Sequence, residues 1–292
     1  MAVVVFGLGK NNVIISHIIG GLGNQMFQYA LGRCLTLKRG VRLKLDVSGF
    51  TGYKKRKYEL SAFNIQEDYA NRLEILSFSI PSLWRPQPRV IKREHAHFEH
   101  EILALSGDVY LKGYWQSEKY FIEIEDVIRK EFTLKNPQSG KNLEVSRLIA
   151  SKESVSLHVR RGDYVSEKKT RDIHGVCPLG YYKRSVEYMR QMIKYPFFYI
   201  FSDDFEWVHK NLKLSNDCLC VEFNSNSHED LRLMSQCKHH ITANSSFSWW
   251  GAWLNPRKNK IVLSPDPWFK DPLHNPNDII PSEWIKIPVS YD

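Results

Sequence analysis

The stretch SVSLHVRRGDY, residues 154–164, decides the fold that we predict for this chain. In its first half, apolar and polar residues alternate with the period of two that is typical of a β-strand. Residues two positions apart share one face of a strand, so we expect His158 and Arg160 to point to the same side. Gly162 then lets the chain turn, which leaves Asp163 near the carboxyl edge of the predicted sheet.

An arginine at the edge of a sheet is a candidate anion site. The guanidinium group of Arg160 can bind two oxygens of a phosphate or carboxylate at once, and it stays charged. A simpler interpretation also fits, in which Arg161 and Asp163 form a surface ion pair that closes the turn. The rest of the chain has to decide between the two interpretations.

The composition is that of a globular protein with an anionic partner. The chain has 292 residues, 42% of them hydrophobic, and a net charge of +9. No apolar run is long enough to cross a bilayer and no signal peptide opens the chain, so we expect a cytoplasmic protein. Part of the positive charge lies at 54–57, and nucleic acid, a nucleotide sugar or an anionic membrane would each fit it. No signature of a nucleic-acid-binding fold accompanies the charge.

The five cysteines predict neither a disulfide framework nor a zinc site. An odd number cannot all pair. Cys218, Cys220 and Cys237, together with His239 and His240, lack a C-x2-C spacing. The first two lie in a strand-like run, where free cysteine is a common core residue. We therefore expect structural cysteines and no metal.

The N-terminal part of the chain predicts the start of a βαβ fold. Residues 13–19 resemble a buried strand, residues 20–25 form a glycine loop, and an amphipathic helix and a second strand follow. Met26 occupies the third glycine position of a dinucleotide-binding fingerprint, so NAD binding is not favoured. The amides of Asn24 and Gln25 are well placed to bind sugar hydroxyls, and Asn24 could also cap the helix.

In the second half of the chain, predicted strands and helices alternate, which favours a parallel sheet. Before it, residues 120–132 are predicted to form a helix, and residues 135–141 a linker between two domains. Polar residues fall where strands end, at the edge where open parallel sheets bind ligands. Each alone could be a cap or turn, but together they indicate one site. Its predicted members are Arg160, Asp203, Asp204, Asn224, Asp230, Asn244, Ser245, Ser246 and Ser248.

These groups together describe a site for a nucleoside diphosphate. Arg160 would hold the pyrophosphate, and the serines open a predicted helix, whose N–H groups attract anions. The aspartates and Asn224 can accept hydrogen bonds from a base or a ribose. Asp203 and Asp204 lack the D-x-D spacing of a metal site, and cations already face the phosphates, so no divalent metal is required.

Three motifs together resemble the bacterial α-1,2-fucosyltransferases of glycosyltransferase family 11. They are GGLGNQMFQYA at 20–30, HVRRGDY at 158–164 and NSSFSWWGAW at 244–253. The resemblance runs from about Ile14 to the C-terminus, and residues 1–12 are interpreted as a leader extension. It implies an α/β fold of GT-B type, with two Rossmann-like domains facing a cleft. The acceptor-side domain would span 13–138 and the GDP-sugar-binding domain 142–292.

The resemblance also implies the reaction. GDP-β-L-fucose would be the donor, and fucose would pass with inversion to the 2-hydroxyl of a terminal galactose. Arg160 would hold the β-phosphate, His158 and Asp230 would contact the guanosine, and the serines would complete the phosphate cradle. The residues facing the fucose or the acceptor would be Gly23, Asn24 and Gln25.

Asp163 and Glu167 are the candidates for the catalytic base. Both follow Arg160 on the loop predicted to leave its strand, so either could take the proton of the acceptor hydroxyl. We prefer Asp163 because the turn fixes its position, whereas Glu167 would need loop closure. A structural role for Asp163 is the alternative.

The partners expected from this assignment are a galactose-terminated oligosaccharide or a lipid-linked glycan. The basic residues 54–57 would dock the enzyme on the anionic inner face of the cytoplasmic membrane, with a solvated loop as the alternative. Three competing functions are a transferase for another GDP-sugar, a sugar-nucleotide sensor without turnover, and a nucleic-acid-binding protein.

Overall fold

The computed structural model describes residues 12–52, 55–78, 89–93, 97–274 and 277–291. Apart from Asn12, the predicted leader extension at 1–12 lies outside these residues, and so does Lys54 of the basic cluster.

The first half of the chain builds one parallel sheet. Its strands and helices are β1 (Val13–His17), α1 (Leu22–Arg39), β2 (Arg42–Asp46), α2 (Arg72–Ser77), β3 (Arg89–Arg93), β4 (Val109–Gly113) and α3 (Glu125–Glu131). The four strands lie in the order β2-β1-β4-β3, and every pairing is parallel. The carboxyl end of β1 leads through the glycine loop into α1, and this helix is capped by Gly40 in the left-handed conformation, with φ of 63°.

The second half builds a larger parallel sheet. Its strands and helices are α4 (Gly140–Ser151), β5 (Glu153–Val159), α5 (Gly162–Ser166), α6 (Lys168–His174), α7 (Leu179–Met192), β6 (Pro196–Ser202), α8 (Phe205–Asn211), β7 (Cys218–Cys220), α9 (Ser227–Gln236), β8 (His239–Ile241), α10 (Ser246–Leu254), β9 (Val262–Asp266) and β10 (Ile285–Pro288). The strand order is β10-β9-β8-β5-β6-β7. The predicted α/β fold of GT-B type, two Rossmann-like domains facing a cleft, is thereby confirmed, while the limits 13–138 and 142–292 stay a prediction.

The predicted helix over 120–132 is wrong in its first half. Glu118–Tyr120 and Ile122–Ile124 form short 3-10 helices, and the α-helix begins only at Glu125. Between them, Phe121 has a non-helical backbone, with φ of −143° and ψ of 5°, and a completely buried ring. This ring stacks on Trp250 with 5.3 Å between the ring centroids. Burial of the aromatic ring therefore overrides the local helical pattern.

The two halves are joined by an aromatic core around α10. Trp249, Trp250 and Trp253 share one buried cluster with Phe27 of α1. The indole N–H of Trp250 donates to the carbonyl of Gly23, with 3.0 Å between the two atoms. The WWGAW motif is thus structural, because it fixes the start of α10 against the start of α1.

Gly23 is required for this close approach. A Cβ atom at this position would lie 2.5 Å from the backbone carbon of Ser246, and main chain cannot give way as a flexible side chain can. We therefore expect Gly23→Ala to destabilise the protein by about 1–3 kcal/mol, as overpacking does. Thermal unfolding measures the effect. Gly21→Ala is the matched control, since its Cβ would meet only Arg56 at 3.9 Å, and equal stability losses in both variants would contradict the expectation.

Candidate active site

A cleft of about 770 Å³ lies where the two sheets face each other. Arg160 directly follows β5, Asp203 directly follows β6, and Asn244 comes three residues after β8. The glycine loop after β1 forms the opposite wall. The cleft wall includes these residues from the sequence-based prediction: Gly23, Asn24, His158, Arg160, Asp163, Glu167, Asp203, Asp230, Asn244, Ser245 and Ser246.

Arg160 is held at the centre of the cleft by two carboxylates. Its Nη1 lies 2.6 Å from Oδ2 of Asp203, and its Nη2 pairs with Oδ1 of Asp163. The other oxygen of Asp163 accepts from Nη2 of Arg56 at 2.8 Å. The guanidinium group also lies over the ring of Tyr164, 5.3 Å from its centroid. Both terminal nitrogens of Arg160 thus bind carboxylate oxygens, which the oxygens of a diphosphate could replace.

The interpretation of an Arg161–Asp163 ion pair is wrong. Arg161 turns away from Asp163, places its Nε 3.0 Å from Asp204 and stacks on Trp207 at 4.4 Å. Asp204 also caps α8 by accepting from the main-chain N–H of Trp207 at 3.0 Å. Asp204 is therefore engaged behind the cleft, outside the wall that the ligand would touch.

Three further predicted residues have structural partners instead of facing the cleft. The amide of Gln25 is fully buried and binds the main chain of Gly20, Lys57 and Glu59. The Ser248 hydroxyl accepts from the main-chain N–H of Ala243 at 3.2 Å. The third residue, Asn224, donates to the carboxylate of Asp230 and accepts from Asn142, each at 2.8 Å.

Asn24 lies in the cleft wall, but it does not cap the helix as predicted. The helix begins at Leu22, and the cap position is occupied by Gly21 without a side-chain hydrogen bond. Asn24 therefore belongs to the first turn, where its Oδ1 accepts from the amide of Gln116 at 2.7 Å. Both residues of this hydrogen bond line the cleft.

Burial changes the charge state of several groups in the cleft. It lowers the pKa of His158 to about 4, against the raising influence of Asp203 and with a further lowering by Arg160. Burial likewise lowers the pKa of His174 to about 4. Both imidazoles are therefore neutral at pH 7, so the positive charge of the cleft comes from arginine and lysine. Burial raises the pKa of Asp230 to about 6, against the hydrogen bond from Asn224.

The start of α10 adds a second anion-attracting feature. The Ser245 hydroxyl caps this helix by accepting from the main-chain N–H of Phe247 at 3.3 Å. Ser245, Ser246 and Phe247 line the cleft. The partial positive charge of the helix N-terminus therefore faces the same space as Arg160.

Lys55, Arg56 and Glu59 also line the cleft, and the sequence-based prediction did not place them there. Nζ of Lys55 lies 2.6 Å from Oε1 of Glu167, and Arg56 binds Asp163. Two short helices, α5 and α6, replace most of the loop predicted after β5: Asp163 lies in the first turn of α5, and Glu167 is the single residue between the two helices. The basic cluster at 54–57 could have indicated an anion-binding role in the cleft, but the sequence-based prediction assigned this cluster to membrane docking.

One group of potential metal ligands occurs within the described ranges, and it lies away from the cleft. His209, Cys220 and Glu222 bring ligand atoms within 4.8 Å of one another beside the edge strand β7. None of the three lines the cleft. Nothing in this arrangement bears on the chemistry of the cleft itself.

A cleft with a guanidinium group and a helix N-terminus between two facing parallel sheets is the arrangement of a GT-B type glycosyltransferase. The model for Glycosyl transferase family 11 matches residues 17–288, and the chain belongs to this family.

Relatives from bacteria and mammals support the family assignment. The alpha-1,2-colitosyltransferase of Escherichia coli is 36% identical over 94% of this chain and 99% of its own length. An O-antigen biosynthesis glycosyltransferase of Escherichia coli, WbnK, is 30% identical over 93% of this chain and 99% of its own length. Galactoside alpha-(1,2)-fucosyltransferase 1 of Rattus norvegicus is 28% identical over 80% of this chain and 61% of its own length.

Solved structures show the same fold at low sequence identity. The NodZ alpha-1,6-fucosyltransferase soaked with GDP-fucose has a TM-score of 0.55 and 17% identity, and the match covers 88% of this chain and 96% of that one. A mutant of Arabidopsis thaliana FUT1 in complex with GDP has a TM-score of 0.54 and 12% identity, over 90% of this chain and 73% of that one.

Proposed function

We propose that this protein transfers L-fucose from GDP-β-L-fucose to the 2-hydroxyl of a terminal β-galactoside, with inversion. The observation that carries the proposal is the guanidinium group of Arg160 at the carboxyl edge of β5, which lines a cleft of nucleotide size together with the start of α10. The mammalian relative named above is a galactoside alpha-(1,2)-fucosyltransferase, and the solved neighbours carry GDP-fucose or GDP. The product would be an α-1,2-fucosyl linkage.

The proposed reaction step follows from the charges in the cleft. The acceptor oxygen attacks the anomeric carbon of fucose while the bond from this carbon to the β-phosphate oxygen breaks, and GDP leaves. Negative charge grows on the diphosphate, so the fixed cation of Arg160 stabilises the transition state more than the ground state. The proton of the acceptor hydroxyl passes to the carboxylate of Asp163, the proposed base.

A second candidate function is a transferase for a different deoxysugar. It is supported by the relative with 36% identity, which is an alpha-1,2-colitosyltransferase and spans the same length of chain. This enzyme would share the nucleotide site and differ only in the sugar that it accepts. The two candidates therefore make the same prediction for GDP binding and different predictions for turnover.

The decisive experiment is GDP release measured over panels of donors and acceptors. We expect release with GDP-fucose and a β-galactoside, and an α-1,2 linkage in the product by NMR. Faster release with the GDP derivative of colitose, or with GDP-mannose, would move the assignment to that sugar. Binding of GDP without release would indicate a sensor. Salt-sensitive binding of DNA or RNA without GDP binding would support a nucleic-acid-binding protein.

We also propose that transfer needs no divalent metal, because Arg160 and the start of α10 supply positive potential. The same assay in EDTA tests this proposal. Complete loss of activity that Mg²⁺ or Mn²⁺ alone restores would overturn it.

The galactose-terminated or lipid-linked acceptor, the cytoplasmic location and the membrane contact stay proposals. None of the helices within the described ranges is long and apolar enough to span a membrane. Membrane docking through 54–57 has less charge available than expected, because Lys55 and Arg56 pair with carboxylates at the cleft. Liposome binding that does not change when residues 54–57 are neutralised would overturn the proposed membrane contact.

We expect GDP binding to depend on pH because the pKa of Asp230 is raised. If its carboxylate accepts from the N–H groups of guanine, it must be ionised, and its pKa is about 6. We expect GDP to bind about 10-fold more weakly at pH 5 than at pH 7.5, since about one carboxyl in ten is ionised one unit below its pKa. Calorimetry at both pH values measures this. The phosphates of GDP titrate in the same range, so Asp230→Asn is the control, and an equal pH dependence in this variant would contradict the role.

A further inference from the structure

A segment of the N-terminal half crosses the cleft and binds the opposite wall. Arg56 places Nη2 2.8 Å from Oδ2 of Asp163, and Lys55 places Nζ 2.6 Å from Glu167. Next to them, the hydroxyl of Ser227 at the start of α9 donates to the carboxylate of Glu59. These contacts join residues that are more than 100 positions apart, so they hold one wall of the cleft to the other.

Gln25 fixes the position of this segment. Its Nε2 donates to the carbonyl of Lys57 at 2.7 Å and to that of Gly20 at 2.9 Å, and its Oε1 accepts from the N–H of Glu59 at 2.9 Å. The side chain of Gln25 is fully buried. Gln25 thus holds the main chain of Lys57 and Glu59 against the glycine loop. Arg56 directly precedes this anchored main chain, and it lines the cleft beside the loop.

The balance of charges in the cleft indicates that Arg56 has a second role, besides linking the two walls. Arg160 has two carboxylates, Asp163 and Asp203, within ion-pair distance. One guanidinium group against two carboxylates leaves a net negative charge, which would repel a diphosphate. Arg56 is the cation that brings the four groups to neutrality, and both neighbouring imidazoles, of His158 and His174, are neutral at pH 7.

We propose that Arg56 is a second diphosphate-binding residue, supplied by the acceptor-side half of the chain. The diphosphate of the donor would replace Asp163 on both guanidinium groups, so that Arg56 and Arg160 bind it from opposite walls. The exchange would free the Asp163 carboxylate for the acceptor hydroxyl. This inference rests on the proposed function, and it adds the contribution of the N-terminal half to the nucleotide site.

The test compares two nucleotides that differ by one phosphate. Calorimetry with GDP and with GMP is carried out on the full-length wild-type protein, on Arg56→Ala and on Arg147→Ala. Arg147 is exposed on α4 and does not line the cleft, so its variant is matched in charge and in the atoms removed. We expect Arg56→Ala to weaken GDP about 10-fold or more and GMP much less, because a charge-assisted contact to the second phosphate is lost. Arg147→Ala should leave both affinities within about twofold.

Each other outcome has a defined meaning. Equal losses of GDP and GMP affinity in Arg56→Ala would show that Arg56 makes no contact to the second phosphate, and unchanged affinities would show that it touches no phosphate. Either result overturns the inference that Arg56 binds the diphosphate and leaves the proposed function standing. A wild-type protein that binds no GDP would overturn both. If Arg56→Ala lowers the unfolding temperature, Arg56→Gln keeps a polar side chain of similar length and is measured in its place.

Discussion

Arg160→Lys is expected to slow transfer by about 100- to 1000-fold and to weaken GDP binding, although the positive charge is kept. Arg160 uses two different nitrogens, Nη1 toward Asp203 and Nη2 toward Asp163, which lie on opposite sides of the fork. A lysine ammonium is a single point charge that cannot reach both positions. Loss of one such donor in the transition state costs about 2.7–4 kcal/mol. Steady-state GDP release gives kcat and KM, and calorimetry gives the GDP affinity.

Arg161→Lys is the matched control for this prediction. The two arginines are adjacent, but Arg161 binds Asp204 and stacks on Trp207 outside the cleft wall. This control variant should lose some stability through the weaker stacking and keep its GDP affinity. Near-normal turnover and GDP affinity in Arg160→Lys would show that Arg160 does not bind the phosphate.

Much of the cleft could be predicted from strand periodicity alone. The residues that follow parallel strands meet at one edge of the sheet regardless of how their loops are built. Arg160, Asp203 and Asn244 were predicted on this ground, and they lie in one cleft wall. The same argument predicted that the start of α10 would face this edge, since strands and helices alternate in this part of the chain and a helix that follows a parallel strand begins at the strand's carboxyl end.

The remaining placements depend on partners far away in the chain. Nothing near Gln25 shows that its amide will bind main chain about 30 residues later. Arg56 and Asp163 are 107 residues apart, and they meet because the two halves of the chain pack together, with α1 against α10. The side chain of Arg161 stacks on the ring of Trp207, a contact that the local sequence around Arg161 does not indicate. Local patterns identify residues that can make contacts, and the tertiary structure decides which contact each one makes.

Asp163→Asn is expected to lower kcat strongly, by about 100- to 10,000-fold for the loss of a general base. The change keeps the shape of the side chain and removes its charge, so the proton of the acceptor hydroxyl has no acceptor. GDP affinity should stay near the wild-type value or rise, because the carboxylate that competes with the diphosphate for Arg160 and Arg56 is neutralised. The prediction is therefore a loss in kcat without a rise in the donor KM.

Glu167→Gln is the comparison that decides between the two candidate bases. Glu167 lies just before α6 and pairs with Lys55, with 42% of its side chain exposed, whereas Asp163 is 28% exposed and pairs with both cleft arginines. We expect Glu167→Gln to retain most of the transfer rate, because a mainly solvated ion pair contributes little. Thermal unfolding of both variants shows whether the fold is intact. If Asp163→Asn keeps its transfer rate while Glu167→Gln abolishes transfer, Glu167 is the base and Asp163 serves only to orient the two arginines.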